Sequence, residues 1–405
     1  MNTRRALSRW MFSDTRILAI DLVALLFLFG CGVIGWVDFF HSKGWTPDGM
    51  QYQTGIDLVR NGRSPYEQAV FPYPPTIAVL GAWIAGILGN DRFLTLFRYV
   101  NFLGGCAAVW GSVLLIRTTG LLKLLIALLG IAFLPALGDG LETDNLSTLA
   151  AGLSIMGLAF WQRLPVLMGI VLGFGLALKP IALAGLFALA AHRNPLFRRN
   201  RLATSLAAFG SAGLLVLLEP SALPSALFQP SVQSAVTDWA SAVQNVSLFR
   251  VMSSFGFLVP PIHILLAVVL VTVVYVRTRP LNLVQFLCVA LASSLLSLPI
   301  VWQHTLLLIT PVAFIATALA FEDFMKTRKK AKGPGGRNQR LRSLSQLLFV
   351  ASGSKILLEA NAFGVLANWH PVVNGVAHLV PITTLFLLTA FVVRKEDRRQ
   401  EEIRA

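Results

Sequence analysis

Charged residues are scarce in this chain, and acidic residues are the scarcest. Charged side chains make up 13% of its 405 residues and hydrophobic ones 55%, and the mean hydropathy is +0.69. A soluble domain carries about twice that share of charge. The composition therefore argues against a soluble enzyme and predicts an integral membrane protein.

Cysteine is also rare. Cys31, Cys106 and Cys288 each lie inside an apolar run, and none belongs to a C-x-x-C pair. Cysteines in such surroundings pack as small apolar side chains, and the scattered histidines show no metal-ligand spacing. We expect no disulfide framework, no metal and no cofactor.

Positive charge is the exception, because the formal net charge is +15. In a soluble protein this excess would point to nucleic acid. Here the Lys and Arg residues lie in short loops between apolar runs, and no basic stripe interleaved with aromatic residues accompanies them. We therefore expect no nucleic-acid partner and interpret the cations as markers of the cytoplasmic side.

Long apolar runs recur from Ile17 to Val393. Each is near the ~20 residues that span a hydrocarbon core, and backbone groups in lipid must pair within their own segment, as they do in helices. We predict one all-α integral-membrane domain over 1–405 with about twelve transmembrane helices. The predicted spans are 17–40, 97–116, 121–137, 145–162, 166–179, 181–192, 203–219, 256–276, 283–299, 303–320, 344–358 and 376–393.

The cations fall in every second loop, which predicts that these loops and both termini are cytoplasmic. The run Ile17–Phe40 is too long for a signal-peptide core and lacks a cleavage site, so we expect it to stay as an anchor. The long outer loops are then 41–96, the first periplasmic loop of a bacterial inner-membrane protein, and 220–253. The stretch 321–343 is a basic cytoplasmic linker, and its core, Lys326–Arg342, is expected to lack regular structure.

Two features interrupt this alternation. The apolar stretch 74–88 would break the parity of the spans, and we predict a re-entrant or interfacial helix on the outer side. The runs 166–179 and 181–192 are short and are separated by Lys179-Pro180. They predict a hairpin whose tip carries Lys179 to the outer face, where its cation would serve a ligand or simply reach the interface.

The first outer loop contains a candidate helix at 48–60. Asp48, Tyr52 and Gly55 share one face of it, because residues three to four apart are neighbours on a helix. Asp48 has two interpretations from the residues alone, a functional acid beside the membrane or a capping residue in a solvated loop.

Short segments with a common order run through the chain from residue 38 to residue 320. They read Asp48-x3-Tyr52, Asn61-Gly62-x-Ser64-Pro65-Tyr66, Phe71-x-Tyr73-Pro74-Pro75, Leu178-Lys179-Pro180, Asn245-Val-Ser247-Leu-x-Arg250 and Leu298-Pro299-x-Val-Trp302-Gln303-His304. Together they resemble glycosyltransferase family 87, integral-membrane enzymes of the GT-C type that include polyprenol-phosphate-mannose-dependent mannosyltransferases. Two departures stand out. Family members often carry Gly-Gln-x-Asn where this chain has Glu142 and Asp144 before Asn145, and Gln303 occupies a position that is often acidic.

The resemblance implies an enzyme that transfers a hexose, mannose before others, from a polyprenyl-phosphate donor to a glycolipid or glycan acceptor. It implies Asp48 as the general base, with Asp38 as the runner-up and Asp144 as a further rival. The placement of Lys179 and Arg250 on the outer side suits the donor phosphate. The other substrate-binding residues that it implies are Tyr52, Tyr66, Tyr73, Asn145, Asn245, Trp302 and His304.

Two other functions stay open at this point. One is a polymerase or ligase of polyprenyl-linked glycans, which would place its large outer loop late in the chain. The other is a transporter or lipid flippase, which would show two related halves with paired broken helices. Only the break at Lys179-Pro180 is evident in the sequence.

Overall fold

The computed structural model of the chain describes residues 44–67, 71, 73–115, 140–219, 247–248, 269, 272–273, 281–298, 300–330, 336–358 and 371–404. Within these ranges the regular structure is helical and no strand occurs. The predicted all-α class is therefore confirmed. The predicted spans 17–40 and 121–137, and nearly all of 256–276, lie outside the described residues.

The described helices follow the predicted segments closely. Their bounds are α1 Pro47–Arg60, α2 Thr76–Leu88, α3 Asn90–Leu114, α4 Ser147–Phe160, α5 Pro165–Leu178, α6 Leu183–Ala191, α7 Arg198–Val216, α8 Leu283–Leu296, α9 Thr310–Lys330, α10 Gly336–Leu358 and α11 Pro371–Arg404. A 3-10 turn at Pro195–Phe197 precedes α7, and another at Gln303–Ile309 leads into α9.

Helices α3 and α4 run parallel. A Cβ on Gly104 would lie 2.4 Å from the Leu149 Cα, and one on Gly111 would lie 3.1 Å from the Met156 sulfur. The contact positions therefore advance together along both helices. The predicted span at 121–137, which lies between them in the chain, is outside the described residues and stays a prediction.

Helices α5 and α7 also run parallel and are packed backbone to backbone. A Cβ on Gly169 would lie 2.5 Å from the Thr204 carbonyl oxygen, and one on Gly173 would lie 2.4 Å from that of Ala208. The intervening α6 must return in the opposite direction, so α5 and α6 are the two limbs of a hairpin. Lys179 lies at its tip, as the sequence predicted.

The bundle has two chemically different ends. We call the end where α4 begins and α5 ends the site end, because Asn145 and Lys179 meet there. The opposite end, where α5 and α7 begin, carries Arg163 and Arg198 and the Lys395–Asp323 ion pair. We call it the basic end.

Two hydrophobic cores divide the described residues. The larger is aliphatic and fills the bundle between α3 and α11. The smaller is rich in aromatic rings and lies in the cap, which we define as residues 44–67, 71 and 73–97. Leu146 and Leu178 from the bundle complete the cap core, so the two parts are joined at the site end.

Few of the described helices have both the length and the apolar composition of a membrane span. Two stretches among the described residues, Asn90–Leu114 and His304–Arg328, are long and apolar enough to cross a membrane. The apolar helices α2, α4, α5 and α8 are shorter, in the range of 10–17 residues. These lengths do not support the predicted count of about twelve spans.

The predicted basic linker is wrong in its structure. Residues 326–330 continue α9 and residues 336–342 form the start of α10, so Lys and Arg side chains are compatible with helix here. Both have good helix propensity. In the sequence, Gly333, Pro334 and Gly335 lie between the two helices, and Gly336 is the first residue of α10. The stretch predicted at 74–88 does form a helix, α2, which packs on α1 and α3 in the cap.

Candidate active site

Asp48 lies in the first turn of α1, at the site end. Helix α1 begins at Pro47, a residue suited to the first helical turn because an N–H there has no partner within the helix. The Asp48 side chain is half-buried and reaches the surface from a packed helix end. The predicted helix at 48–60 is therefore confirmed.

The start of α1 is anchored on the loop that precedes α4. The Thr46 N–H donates a hydrogen bond to Asp144 Oδ2 at 3.0 Å. A Cβ on Gly49 would lie 2.8 Å from the Asp144 Cβ, so only glycine allows this approach of the helix to the loop. Asp48, between these two contacts, is held in place by its neighbours.

Asp144 itself is committed to a buried ion pair. Its Oδ1 accepts from Arg98 Nε at 2.7 Å and its Oδ2 from an Arg98 terminal nitrogen at 3.1 Å. The side chains are 0% and 1% exposed. Its backbone φ of 52° is in the left-handed region, which Asp tolerates better than most residues. This geometry assigns Asp144, a rival base in the sequence analysis, to structure.

Asn145, the next residue, connects two charged groups. Its Nδ2 donates to Asp48 Oδ2 at 2.9 Å, and its Oδ1 accepts from Lys179 Nζ at 2.9 Å. Three of the residues predicted for the site thus meet, although they come from segments far apart in the chain. Asn145 is only 3% exposed, so it lies behind the two charged groups that it connects.

Lys179 occupies the helix break that the sequence indicated. Helix α5 ends at Leu178, and Lys179 is extended, with φ −156° and ψ 120°. Pro180 cannot continue the helix. The half-buried ammonium is attracted by the charge of Asp48 and lies 5.6 Å from the centre of the Tyr73 ring, within the range of a cation–π contact.

Two tyrosines form one wall of the site. The rings of Tyr52 and Tyr73 have centres 4.6 Å apart, with Tyr52 fully buried and Tyr73 half-buried in front of it. Burial, and after it the charge of Asp48, raises the pKa of Tyr73 above its ordinary value. Burial also raises the pKa of Tyr52. Both hydroxyls therefore keep their protons near neutral pH and remain hydrogen-bond donors.

Tyr66 has a different place from the one implied by the resemblance. Its side chain is 1% exposed, and its hydroxyl donates to the Tyr73 carbonyl oxygen at 2.6 Å. The ring also packs edge-on against Phe71. Tyr66 therefore supports the backbone of Tyr73, and its contact with a substrate stays a prediction.

His304 lies in the 3-10 turn at the site end and is 2% exposed. A Cβ on Gly140 would lie 3.2 Å from the His304 Cβ, so the histidine packs against the loop that carries Asn145. Trp302, two residues earlier, is half-buried. Both side chains are on the expected side of the bundle. Their contact with a substrate stays a prediction.

The remaining predicted residues contribute less to this picture. Asp38, Asn245 and Arg250 lie outside the described residues. Glu142 is exposed on the loop before Asn145. Among the described residues no group of three or more His, Cys, Asp or Glu side chains is close enough to hold a metal ion.

Sequence reasoning missed Arg98 and Asn101. They lie one turn apart on the buried face of α3, and the Asn101 Nδ2 donates to the Asn145 carbonyl oxygen at 2.7 Å. A signal was present, because Arg98 falls inside the predicted span 97–116. A cation within such a run is costly and needs a partner, and that partner is Asp144.

The site therefore has defined chemical capacities. Asp48 offers a carboxylate that can accept a proton, Lys179 an ammonium that can bind an anion, and Tyr73 an aromatic surface with a hydroxyl donor. All three are partly open to the surface. Behind them lie buried groups that fix their positions, chiefly Asn145 and Tyr52.

Comparison of the chain with protein-family models, with curated proteins and with solved structures gives no match.

Proposed function

We propose that the chain is an integral-membrane glycosyltransferase of the GT-C type. It would transfer a hexose, mannose first, from a polyprenyl-phosphate donor to a glycolipid or glycan acceptor at the outer face of a bacterial inner membrane. The observation that carries the proposal is the contact of Asp48 and Lys179 with the two ends of the Asn145 amide. The contact brings a carboxylate and an ammonium together in one partly open patch, which supports the proposed roles of base and phosphate-binding cation.

The outer surface of the bundle supports a membrane location. Leu206 and Leu214 on α7 are each 71% exposed, and Trp83 and Ile87 on α2 are 68% and 67% exposed. Such a density of exposed apolar side chains is unusual for a soluble monomer. Lipid chains would cover them, with Trp83 in the interfacial zone that Trp favours.

The helix packing also supports it. The Gly169-x3-Gly173 pair of α5 packs against α7 at backbone contact distance, a spacing common between helices in lipid. We propose that the multi-pass arrangement of about twelve spans holds for the whole chain, with both termini and the basic end cytoplasmic.

The proposed reaction assigns a task to each open group. Asp48 removes the proton from the acceptor hydroxyl as its oxygen attacks the anomeric carbon. The bond from that carbon to the phosphate oxygen breaks, and polyprenyl phosphate leaves with the bonding electron pair. Lys179 stabilises the negative charge on the departing phosphate, and a phosphate needs little protonation to leave. Attack opposite the leaving group inverts the anomeric configuration.

The aromatic wall suits a sugar. A pyranose ring presents C–H groups on one face, which pack on rings such as that of Tyr73, and hydroxyls at its edge, which bind donors and acceptors. We propose that Tyr73 and Trp302 contact the sugar. Arg250, His304 and Asn245 stay candidates, from the resemblance, for contact with the donor phosphate or the acceptor.

The experiment is transfer of labelled mannose by the full-length protein in proteoliposomes. Synthetic polyprenyl-phosphate-mannose is the donor, and the lipid fraction of the native cells is the acceptor source. We expect label in an acceptor and release of one polyprenyl phosphate per transfer. Asp48→Asn should abolish release, and Asp57→Asn on the same helix should not. Movement of intact donor across the bilayer without cleavage would instead support a lipid transporter.

A further inference from the structure

We propose that Asn145 is a positioning residue that holds Asp48 and Lys179 in one fixed arrangement through the two ends of its side-chain amide. The inference rests on the proposed function and deepens it, because it makes the orientation of the base and the position of the phosphate-binding cation depend on one buried group. The resemblance had implied only that Asn145 binds substrate.

The orientation of the amide is fixed by its partners. The Oδ1 accepts from the Ser147 N–H at 2.9 Å and from Lys179 Nζ at 2.9 Å, and both of these groups can only donate. The Nδ2 must then face Asp48 Oδ2, 2.9 Å away, and a carboxylate can only accept. A flipped amide would place its NH2 group against the Ser147 and Lys179 donors and its oxygen against the Asp48 carboxylate.

The backbone of Asn145 is fixed as well. Its N–H donates to the Gly140 carbonyl oxygen at 2.7 Å, and its carbonyl oxygen accepts from Asn101 Nδ2 at 2.7 Å. With 3% of the residue exposed, no substrate group has room to reach it directly. Asn145 is therefore a rigid reference point for the two charged groups in front of it.

Both charged groups need such a reference. Lys179 has a flexible four-carbon stem and lies at a helix break, where no helical turn restricts it. Asp48 can rotate its carboxylate at the start of α1. A misplacement of reacting groups by about 1 Å can lower the rate roughly 100-fold, so one amide that fixes both groups affects both donor binding and turnover.

Two substitutions separate these effects. Asn145→Asp keeps an oxygen for Ser147 and Lys179 but replaces the donor that faces Asp48. We expect kcat to fall about 100-fold, with the KM for polyprenyl-phosphate-mannose changed by less than about twofold. Asn145→Leu removes both the oxygen that accepts from Lys179 and the NH2 group that donates to Asp48, so kcat should fall and the donor KM should rise. Asn61→Asp, an exposed change of the same type, is the matched control and should change neither.

A double-mutant cycle distinguishes positioning from a general structural role. In the Asp48→Asn background the Asn145→Asp change should lower the residual kcat by less than about threefold, because residues that act as a unit are not additive. A full loss of about 100-fold in both backgrounds, or an equal rise in KM for the two Asn145 variants, would overturn the inference.

Failure of the proposed function has a separate signature, since the unchanged protein would then transfer no sugar. In that case, thermal unfolding measurements test whether Asn145 positions Asp48 and Lys179. The Tm changes of Asp48→Asn and Lys179→Met should be non-additive in the parent protein, and this coupling should shrink in Asn145→Leu. Equal coupling with and without the amide would overturn the inference.

Discussion

Asp144 and Asn145 are adjacent in the chain but belong to two different regions. Asp144 points into the junction between the cap and the bundle, where its ion pair with Arg98 is sealed from solvent. Asn145 points toward the open patch formed by Asp48, Lys179 and Tyr73. One loop thus supplies a structural anchor on one side and a functional support on the other.

Asp144 and Asp48 are residues of the same type, so burial is what separates them. Asp144 and Asp48 both lie at the site end, and both accept hydrogen bonds from buried partners. A carboxylate that is 0% exposed and bidentate with arginine has no position left for a substrate hydroxyl. The half-buried Asp48 has one. Substitutions should therefore affect stability in one region and turnover in the other.

The largest expected effect is that of Asp48→Asn. The amide keeps the shape of the side chain and can still accept from Asn145, but it cannot take a proton. Loss of a general base lowers the rate by roughly 10²–10⁴-fold, with donor affinity retained. Single-turnover transfer and donor binding measure the two properties separately.

Two variants sharpen this prediction. Glu142→Gln, on the exposed part of the same loop, should stay near wild type. Asp38→Asn tests the other candidate base. Near-normal turnover of Asp48→Asn with saturating donor and acceptor would refute its assignment.

The next largest effect should come from Arg98→Met. It leaves the Asp144 carboxylate buried without its bidentate partner, which costs about 3–5 kcal/mol of unfolding free energy. The thermal unfolding midpoint in detergent should fall, and activity should fall with the folded fraction. Asp144→Asn should act in the same direction.

The double variant Arg98→Met/Asp144→Leu separates charge from packing. Replacing a whole buried pair with apolar residues is often nearly neutral, so the double variant should be more stable than Arg98→Met alone. If Arg98→Met kept the parent midpoint, the buried pair would not anchor the cap.

The apolar runs predicted where the described helices lie, but they overestimated how many of them are long enough to cross a membrane. The sequence also predicted that Asp48 and Lys179 belong to one site. It could not assign Asp144 to Arg98, since that pairing depends on how α3 packs against the loop before α4. Nor could it assign Tyr66 to the Tyr73 carbonyl, since that pairing depends on how the two residues meet in the cap. The error at 326–342 had another origin, as a basic composition was interpreted as disorder although Lys and Arg are good helix formers.

Lys179→Met should have an intermediate effect, on donor use. The side chain keeps its length and apolar stem but loses the ammonium. A charge-assisted hydrogen bond to a phosphate contributes about 1.5–3 kcal/mol, so donor affinity should fall roughly 10- to 100-fold. Titration of the purified protein with polyprenyl phosphate measures it.

The control is Lys395→Met at the basic end. Lys395 is also paired, with Asp323 at 2.7 Å, but it lies far from the proposed donor site. It should leave donor affinity unchanged. An unchanged affinity in Lys179→Met would mean that Lys179 only carries its charge to the interface.

The smallest effect, and the one that tests whether Tyr66 supports Tyr73 or contacts a substrate, is that of Tyr66→Phe. The change removes the hydroxyl that donates to the Tyr73 carbonyl oxygen and leaves the ring packed against Phe71. A lost neutral hydrogen bond costs about 1 kcal/mol, so the unfolding midpoint of a chain of this length should fall by roughly 1 °C. Turnover and donor affinity should stay near wild type, because a side chain that is 1% exposed touches no substrate. Tyr73→Phe is the informative comparison, since that hydroxyl belongs to the half-buried ring of the open patch and its loss should raise KM. If Tyr66→Phe instead lost activity at an unchanged midpoint, Tyr66 would be a substrate contact after all, and the cap would have to open during the reaction.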